Sequence, residues 1–135
     1  MGRKVLIVDD EQHIVLYLTT VLEDHGCDVV SATDPLEALA LAKTERPDLI
    51  CLDIMMPKKS GLSLYKEFRM DSTLKGTPIV VISGIGSVAY GFKVDFRRHI
   101  PEPDIPEPDA FFEKPLKVGN FVEFLERTLG AEGTS

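Results

Sequence analysis

Short apolar runs alternate with segments of helical periodicity along almost the whole chain. The apolar runs are Val5–Val8, Val29–Val30, Leu49–Leu52, Ile79–Ile82 and Ala110–Phe112. Runs of this kind, bounded by polar or turn residues, are typical of strands buried on both faces of a parallel sheet. Between them, apolar residues recur at the three- and four-residue spacing of an amphipathic helix. The resulting stripes are Ile14, Leu18, Val21 and Leu22, then Leu36, Leu39 and Ala40, then Ile85, Val88, Ala89, Phe92 and Phe96, and finally Val118, Phe121, Val122, Leu125 and Leu129.

This alternation predicts five strands and five helices, an α/β fold of the (βα)5 type. Parallel strands joined by right-handed crossovers place helices on both faces of the sheet. The second helix has the clearest start, with Asp34 as N-cap, Pro35 at the first helical position and Glu37 three residues after the cap. Gly26 and Pro47 mark the ends of the first two helices.

One segment breaks the pattern. Residues 100–104 and 105–109 are two copies of Ile-Pro-Glu-Pro-Asp, which carry four of the nine prolines in the chain. Proline excludes a helix or a central strand here, so we predict an extended, polyproline-like segment before the fifth strand. Two roles are open for it: a stiff spacer that returns the chain to the sheet, or an acidic strip that contacts a partner. Residues 130–135 are predicted to form a flexible tail.

Length and charge narrow the class of protein. The 135 residues suit one domain, which we place at 4–129. Fifteen Lys and Arg residues against 22 Asp and Glu residues give a net charge of -7, which argues against direct binding to nucleic acid or to an anionic membrane. No apolar run approaches the roughly 18 residues that span a bilayer. Cys27 and Cys51 match no metal or redox spacing, so we expect free thiols and a cytoplasmic location.

Polar residues that can carry chemistry stand where four of the five predicted strands end. They are Asp9 and Asp10, Asp53, Ser83 and Lys114. In the doubly wound strand order 2-1-3-4-5, these four strands are neighbours, and their carboxyl ends open on one crevice. Taken singly, Asp10 or Ser83 could cap a helix and Lys114 could be a surface charge. Their joint position favours one site.

Three carboxylates facing one ammonium leave this crevice with a surplus of negative charge. Like charges about 4 Å apart repel by about 4 kcal/mol per pair at an effective dielectric constant near 20, and a divalent cation removes that cost. Oxygen ligands supplied by few side chains favour Mg²⁺. A pocket that holds Mg²⁺ and a lysine suits a phosphoryl group passing to a carboxylate nucleophile.

In this order and spacing, the residues resemble the receiver domain of two-component response regulators. The matching segments are Asp9-Asp10, Asp53-Ile54-Met55-Met56-Pro57, Gly61, Ser83-Gly84 and Lys114-Pro115. The resemblance covers residues 4–129 and implies a flavodoxin-like fold, with a parallel five-stranded sheet of order 2-1-3-4-5 and helices on both faces. The chain departs from the family at 84–110, where the segment is long for one helix and two loops.

The resemblance implies a role for each residue of the site. Asp53 would be the phosphoacceptor, and the Lys114–Pro115 peptide bond would be cis. The Mg²⁺ ligands would be Asp10, Asp53 and the main-chain carbonyl of Met55, with Asp9 acting through water. The phosphoryl oxygens would be bound by Ser83 and Lys114, and the switch residues would be Ser83 and Phe111.

The resemblance also implies partners. The phosphodonor would be a sensor histidine kinase or a histidine phosphotransfer protein, and an unknown downstream protein would be contacted through helix 4, strand 5 and helix 5. A phosphorylation-dependent homodimer is also allowed. The domain would catalyse its own phosphotransfer without being an enzyme for external substrates. Slow autodephosphorylation is expected, because the bulky apolar side chains of Met55 and Ile85 would crowd the hydrolytic water.

Three other functions compete with this interpretation. Residues 84–89 match a dinucleotide-binding fingerprint, but the motif follows the fourth strand rather than the first. A phosphatase with an aspartyl nucleophile would need a second acid where Met55 stands. A receiver-like interaction module that is never phosphorylated stays open.

A basic cluster on the predicted fourth helix fits either a solvated face or a partner-binding one. Its members are Lys93, Arg97, Arg98 and His99.

Overall fold

A computed structural model of the chain describes residues 3–54, 61–84, 96–114 and 116–130, apart from the side chain of Ser83. Within these residues there are five strands, each matching a predicted apolar run to within two residues at either end. They are β1 (Lys4–Val8), β2 (Asp28–Ala32), β3 (Leu49–Leu52), β4 (Ile79–Ser83) and β5 (Ala110–Glu113).

The strands form one parallel sheet in the order β2-β1-β3-β4-β5, which confirms the predicted flavodoxin-like topology. The ends of the strands are in register. Val8 pairs with Ala32 on one side and with Leu52 on the other, and Leu52 pairs with Val81. The residues that follow β1 and β3 therefore emerge side by side at the carboxyl edge of the sheet.

Helices cover both faces of the sheet, as predicted. Those in the described residues are α1 (Gln12–Asp24), α2 (Pro35–Glu45), α3 (Gly61–Met70), α4 (Phe96–His99) and α5 (Val118–Leu129). One core includes Leu18 of α1 and Phe121 of α5, and the other includes Ala38 of α2 and Phe68 of α3. Alternate residues of β1 and β3 point into each core, which is why these strands are apolar throughout.

Helix α2 begins where the sequence predicts, but it buries a different face. The Asp34 carboxylate accepts hydrogen bonds from the main-chain N–H of Leu36 at 2.8 Å and of Glu37 at 3.4 Å. The predicted stripe is wrong, because Leu36 is 72% exposed and the buried line is Pro35, Ala38 and Ala42. α2 is apolar almost all round, so periodicity could not select a face, and the alanines allow close packing on the sheet. In α5, similarly, Val118 is exposed and Phe124 is buried.

Gly61, the first residue of α3, lies against the chain that leaves β3. A Cβ atom at this position would stand 2.2 Å from the Cα of Ile54, well inside van der Waals contact. The absence of a side chain therefore lets α3 pack directly onto the residue that follows Asp53. This contact explains physically why glycine occupies this position of the receiver motif.

The proline repeat, residues 100–109, is not the extended, polyproline-like segment that the sequence predicts. Ile100 and Ile105 are buried in the core that also contains Tyr65 and Phe96. The N–H of Ile105 donates to the carbonyl of Glu102 at 3.2 Å, which closes a turn with proline at its second position. With this turn between them, the two isoleucines, five residues apart, enter the same apolar core.

Polar contacts tie the proline repeat to α3 and α4. The Tyr65 hydroxyl donates to the carbonyl of Pro106 at 2.5 Å, and the buried Arg69 guanidinium lies 3.1 Å from a carboxylate oxygen of Asp109. Arg97 of α4 donates to the carbonyls of Glu102 and Ile105, each at 2.8 Å. The repeat therefore belongs to the packed structure.

The location of the proline repeat follows from the strand directions. The main-chain N–H of Asp109 donates to the carbonyl of Ile79 at 2.8 Å, so the repeat lies at the amino ends of β4 and β5. The predicted site lies at the opposite, carboxyl ends. Among the predicted basic residues, Arg97, Arg98 and His99 are exposed. Lys93, most of the predicted fourth-helix stripe and the tail at 131–135 lie outside the described residues.

Candidate functional site

Three aspartates meet at the carboxyl edge of the sheet. Asp9 and Asp53 directly follow β1 and β3, and their main-chain N–H groups donate to the carbonyls of Ala32 at 3.2 Å and of Val8 at 2.9 Å. Both residues are only 2% exposed, whereas Asp10 is exposed. One carboxylate oxygen from each aspartate lies within 4.8 Å of the other two. The structure thus brings together three of the four residues predicted to form the metal site.

Lys114 completes the group from the end of β5. Its Nζ atom lies 3.0 Å from Oδ2 of Asp9 and 3.2 Å from Oδ2 of Asp53, and its side chain is 11% exposed. The predicted alternative of a solvated surface charge is therefore wrong for this lysine. The alternative that Asp10 caps α1 is also wrong, because the N-cap position belongs to Glu11.

Glu11 is a member of the site that the sequence analysis did not select. Its Oε1 atom lies 2.6 Å from the Lys114 ammonium, and its main-chain N–H donates to Oδ1 of Asp9 at 2.9 Å. One signal in the sequence points to it. Glutamate is a poor N-cap residue. Its presence directly after Asp9 and Asp10, at the start of a helix, therefore indicates a role other than capping.

The charges of the site perturb one another. Burial raises the pKa of Asp9 to about 6, although the hydrogen bonds from the Glu11 N–H and from Lys114 oppose that rise. Burial lowers the pKa of Lys114, but the Glu11 and Asp9 carboxylates more than compensate and hold it above its usual value. The hydrogen bond from Lys114 holds the pKa of Glu11 below its usual range. The lysine is therefore a firmly charged ammonium surrounded by carboxylates.

The chemistry of the donors indicates which ion fits. All three clustered side chains are carboxylates, and two of them are buried where an unneutralised charge is costly. Hard divalent cations with oxygen ligands, Mg²⁺ above all, match this set. Asp9, Asp10 and Asp53 would hold such an ion. The carbonyl of Met55, the fourth predicted ligand, lies outside the described residues.

The remaining predicted residues are placed only in part. Ser83 is the last residue of β4 and pairs with Glu113, but its side chain is outside the described part of the chain. Phe111 lies in β5 and is half-buried against the core that contains Phe68. The predicted roles of Ser83 and Phe111 as switch residues stay predictions. Pro115, Ile85 and the fingerprint beyond Gly84 lie outside the described residues.

Together, the parallel sheet of order 2-1-3-4-5 and the aspartate cluster with a lysine at its carboxyl edge define a receiver-type signalling domain. The sequence model of the response regulator receiver domain matches residues 5–95. The chain belongs to this family, and its role is in signalling. Receiver domains bind Mg²⁺ in an acidic pocket, to which the aspartate cluster corresponds.

Relatives of known name agree with this assignment. The polar-differentiation response regulator DivK of Brucella anthropi is 32% identical over 130 residues, which cover 96% of this chain and 98% of DivK. The alkaline phosphatase synthesis transcriptional regulatory protein PhoP of Bacillus subtilis is 45% identical over 83 residues, 62% of this chain. The matched region spans only about a third of PhoP, 34% of its length.

A solved structure has the same fold. The chemotaxis protein CheY4 of Vibrio cholerae superposes with a TM-score of 0.78 at 30% identity, and the match covers 95% of this chain and 99% of CheY4. In the part of the chain that the structure describes, no helix combines the length and the hydrophobicity required to cross a membrane.

Proposed function

We propose that Asp53 accepts a phosphoryl group in a Mg²⁺-dependent reaction, from a histidine kinase, a histidine phosphotransfer protein or a small phosphodonor. One observation carries the proposal. The buried Asp53 carboxylate lies within 3.2 Å of the Lys114 ammonium, inside a cluster of three aspartates. That combination supplies a nucleophile, a bound positive charge and oxygen ligands for a cation.

Each side chain has a distinct part in the reaction. An Asp53 oxygen attacks phosphorus, the bond from phosphorus to the donor nitrogen or oxygen breaks, and an acyl phosphate forms. Asp9, Asp10 and Asp53 would hold Mg²⁺, and the bound ion would supply positive charge that offsets the negative charge on the transferring group. Lys114, already within hydrogen-bond distance of Asp53, donates to the phosphoryl oxygens. Ser83 adds a hydroxyl donor from the end of β4.

The test is incubation with acetyl phosphate and Mg²⁺, followed by measurement of the intact mass. We expect one added phosphoryl group, which should not form when EDTA is present during the incubation and should be absent from Asp53→Asn. Asp104→Asn is the matched control, because Asp104 is an exposed aspartate in the proline repeat, at the other end of the sheet. Labelling of Asp53→Asn, or labelling that EDTA does not affect, would reject the proposal. Absence of labelling from both small and phosphohistidine donors would favour the unphosphorylated interaction module.

The proposed reaction is a single self-modification rather than turnover of external substrates. Met55 and Ile85 are apolar and cannot orient a hydrolytic water, so the phosphorylated form should decay slowly. Met55→Asn introduces a polar side chain at this position and is expected to speed the decay. The decay is measured as the loss of the added phosphoryl mass over time. A decay rate in Met55→Asn equal to that of the parent chain would contradict this account.

Phosphorylation would be transmitted to the face formed by helix 4, β5 and α5. Ser83 and Phe111 are the proposed switch residues, and a downstream protein or a second copy of the chain is the proposed partner. The net charge of -7 supports a protein partner rather than nucleic acid. We propose that the partner is cytoplasmic, in line with the location expected from the two free cysteines. Size-exclusion chromatography with and without acetyl phosphate tests the second-copy alternative directly.

A further inference from the structure

Glu11 occupies the N-cap position of α1 without capping it. Its side chain makes no hydrogen bond to the first turn of the helix. Serine, threonine, aspartate and asparagine are the residues that cap helices well. The Glu11 carboxylate reaches instead to the end of β5, where it meets Lys114, 103 positions away in the sequence.

Lys114 is shared among three carboxylates. Its Nζ atom lies 2.6 Å from Glu11, 3.0 Å from Asp9 and 3.2 Å from Asp53. An ammonium has three N–H donors, so these contacts use them all. The shortest contact is with Glu11, whose side chain is 46% exposed, whereas those of Asp9 and Asp53 are 2% exposed. The closest partner of the lysine is therefore the most exposed of the three carboxylates.

Lys114 and a divalent cation compete for the same oxygen atoms. Asp9 and Asp53 belong to the cluster that can hold a metal, and both also accept a contact from Lys114. Glu11 is not part of that cluster. A carboxylate that binds the ammonium from outside the cluster weakens its hold on the two aspartates.

We propose that Glu11 is a positioning residue that draws the Lys114 ammonium away from Asp9 and Asp53, and so frees their oxygens for a divalent cation. The inference rests on the proposed Mg²⁺-dependent function. Without the charge of Glu11, Lys114 would bind the two aspartates more closely and oppose metal binding.

The first measurement is the dissociation constant for Mg²⁺, by calorimetric titration of the full chain. Glu11→Gln keeps the shape of the side chain and removes its charge, and we expect about fivefold weaker binding. Glu113→Gln is the matched control. It removes the same charge one residue before Lys114, from an exposed side chain, and should change the dissociation constant less than twofold.

The second measurement separates the lysine-mediated effect from a direct effect of charge. Glu11→Gln is combined with Lys114→Met, or with Lys114→Gln if the methionine variant does not fold by circular dichroism. In either background the effect of Glu11→Gln should fall below twofold, because the competing ammonium is gone. If Glu11→Gln weakens Mg²⁺ binding by the same factor in the Lys114 variant as in the parent chain, Glu11 attracts the cation directly and the inference is overturned. The inference is also overturned if Glu11→Gln does not change the dissociation constant in the parent chain. Failure of the parent chain itself to bind Mg²⁺ would instead count against the proposed function.

Discussion

The charged form of the Asp9 carboxylate is costly to bury in the folded protein. Asp9 is 2% exposed, and burial raises its pKa to about 6 despite hydrogen bonds from the Glu11 N–H and from Lys114. A carboxyl with a raised pKa binds its proton more tightly in the folded state than in the unfolded state. Its contribution to stability is complete below the unfolded value near 4 and is lost as the pH rises through about 6.

Asp9→Asn should therefore stabilise the protein in a pH-dependent way. In EDTA, we expect the variant to exceed the parent by about 2 kcal/mol in unfolding free energy at pH 7.5, and by progressively less as the pH falls toward 4. Urea denaturation at a series of pH values measures the difference. A difference that does not vary between pH 4 and pH 7.5 would show that Asp9 is not held in its costly charged form.

At the scale of elements, the junction between β3 and α3 depends on one glycine. Gly61→Ala would place a methyl group 2.2 Å from the Cα of Ile54, and main-chain atoms there cannot rotate away. We expect a loss of about 2 to 3 kcal/mol in unfolding free energy. Gly119→Ala in α5 is the control. Beyond its own helix backbone and chain neighbours, an added Cβ there meets no atom of the described residues within 4 Å, so the variant should be neutral or stabilising. Equal stability of the two variants would contradict the packing described for α3.

Arg69 is one of the side chains that hold the proline repeat to the rest of the molecule. This buried guanidinium contacts Asp109 and also donates to the carbonyls of Lys75 at 3.1 Å and of Thr77 at 2.8 Å. Its removal takes a donor from the two carbonyls and leaves Oδ1 of Asp109 with the main-chain N–H of Ile79, at 2.9 Å. This one side chain therefore links the repeat, the α3–β4 turn and the start of β5.

Arg69→Met should cost about 2 to 4 kcal/mol in unfolding free energy, whereas Arg127→Met, an exposed arginine of α5, should change it by less than about 0.5 kcal/mol. The folded fraction of Arg69→Met should still be phosphorylated on Asp53, because the proline repeat lies at the opposite end of the sheet. A folded variant that no longer labels would link the repeat to the site. Deletion of residues 100–104 is a less specific test of a link between the repeat and the site, because the deletion also removes Ile100 from the core.

At the scale of the whole molecule, the site connects elements that are far apart in the sequence. Asp9 and Asp10 follow β1, Asp53 follows β3 and Lys114 follows β5. These groups converge only in the folded chain, so Mg²⁺ should bind the folded state and not the unfolded one. Such binding adds about 2.7 kcal/mol to the unfolding free energy when the ion is at one hundred times its dissociation constant.

Thermal unfolding with and without Mg²⁺ tests this coupling. The parent chain should melt several degrees higher in Mg²⁺ than in EDTA, and Asp10→Asn should lose most of that increase. Asp104→Asn, at the opposite end of the sheet, should keep it. A Mg²⁺ effect of equal size in Asp10→Asn would place the ion elsewhere.

The sequence alone was enough to predict the strands, the start of α2 and the aspartate–lysine site. These features depend on short-range patterns: apolar runs buried on both faces, a capping aspartate before a proline, and polar residues at the ends of strands. The order of the strands came from the resemblance to receiver domains, and the sheet confirms it. Once parallel strands are adjacent and in register, residues that follow them must meet.

Other features were decided only by the tertiary structure. The buried face of α2 depends on which side chains fit against the sheet, because its apolar residues lie almost all round the helix. The conformation of the proline repeat depends on Arg69, Arg97 and a core that accepts both isoleucines. The contact of Glu11 with Lys114 joins residues 103 positions apart. Local periodicity carries no information about such partners, because packing between distant segments selects them.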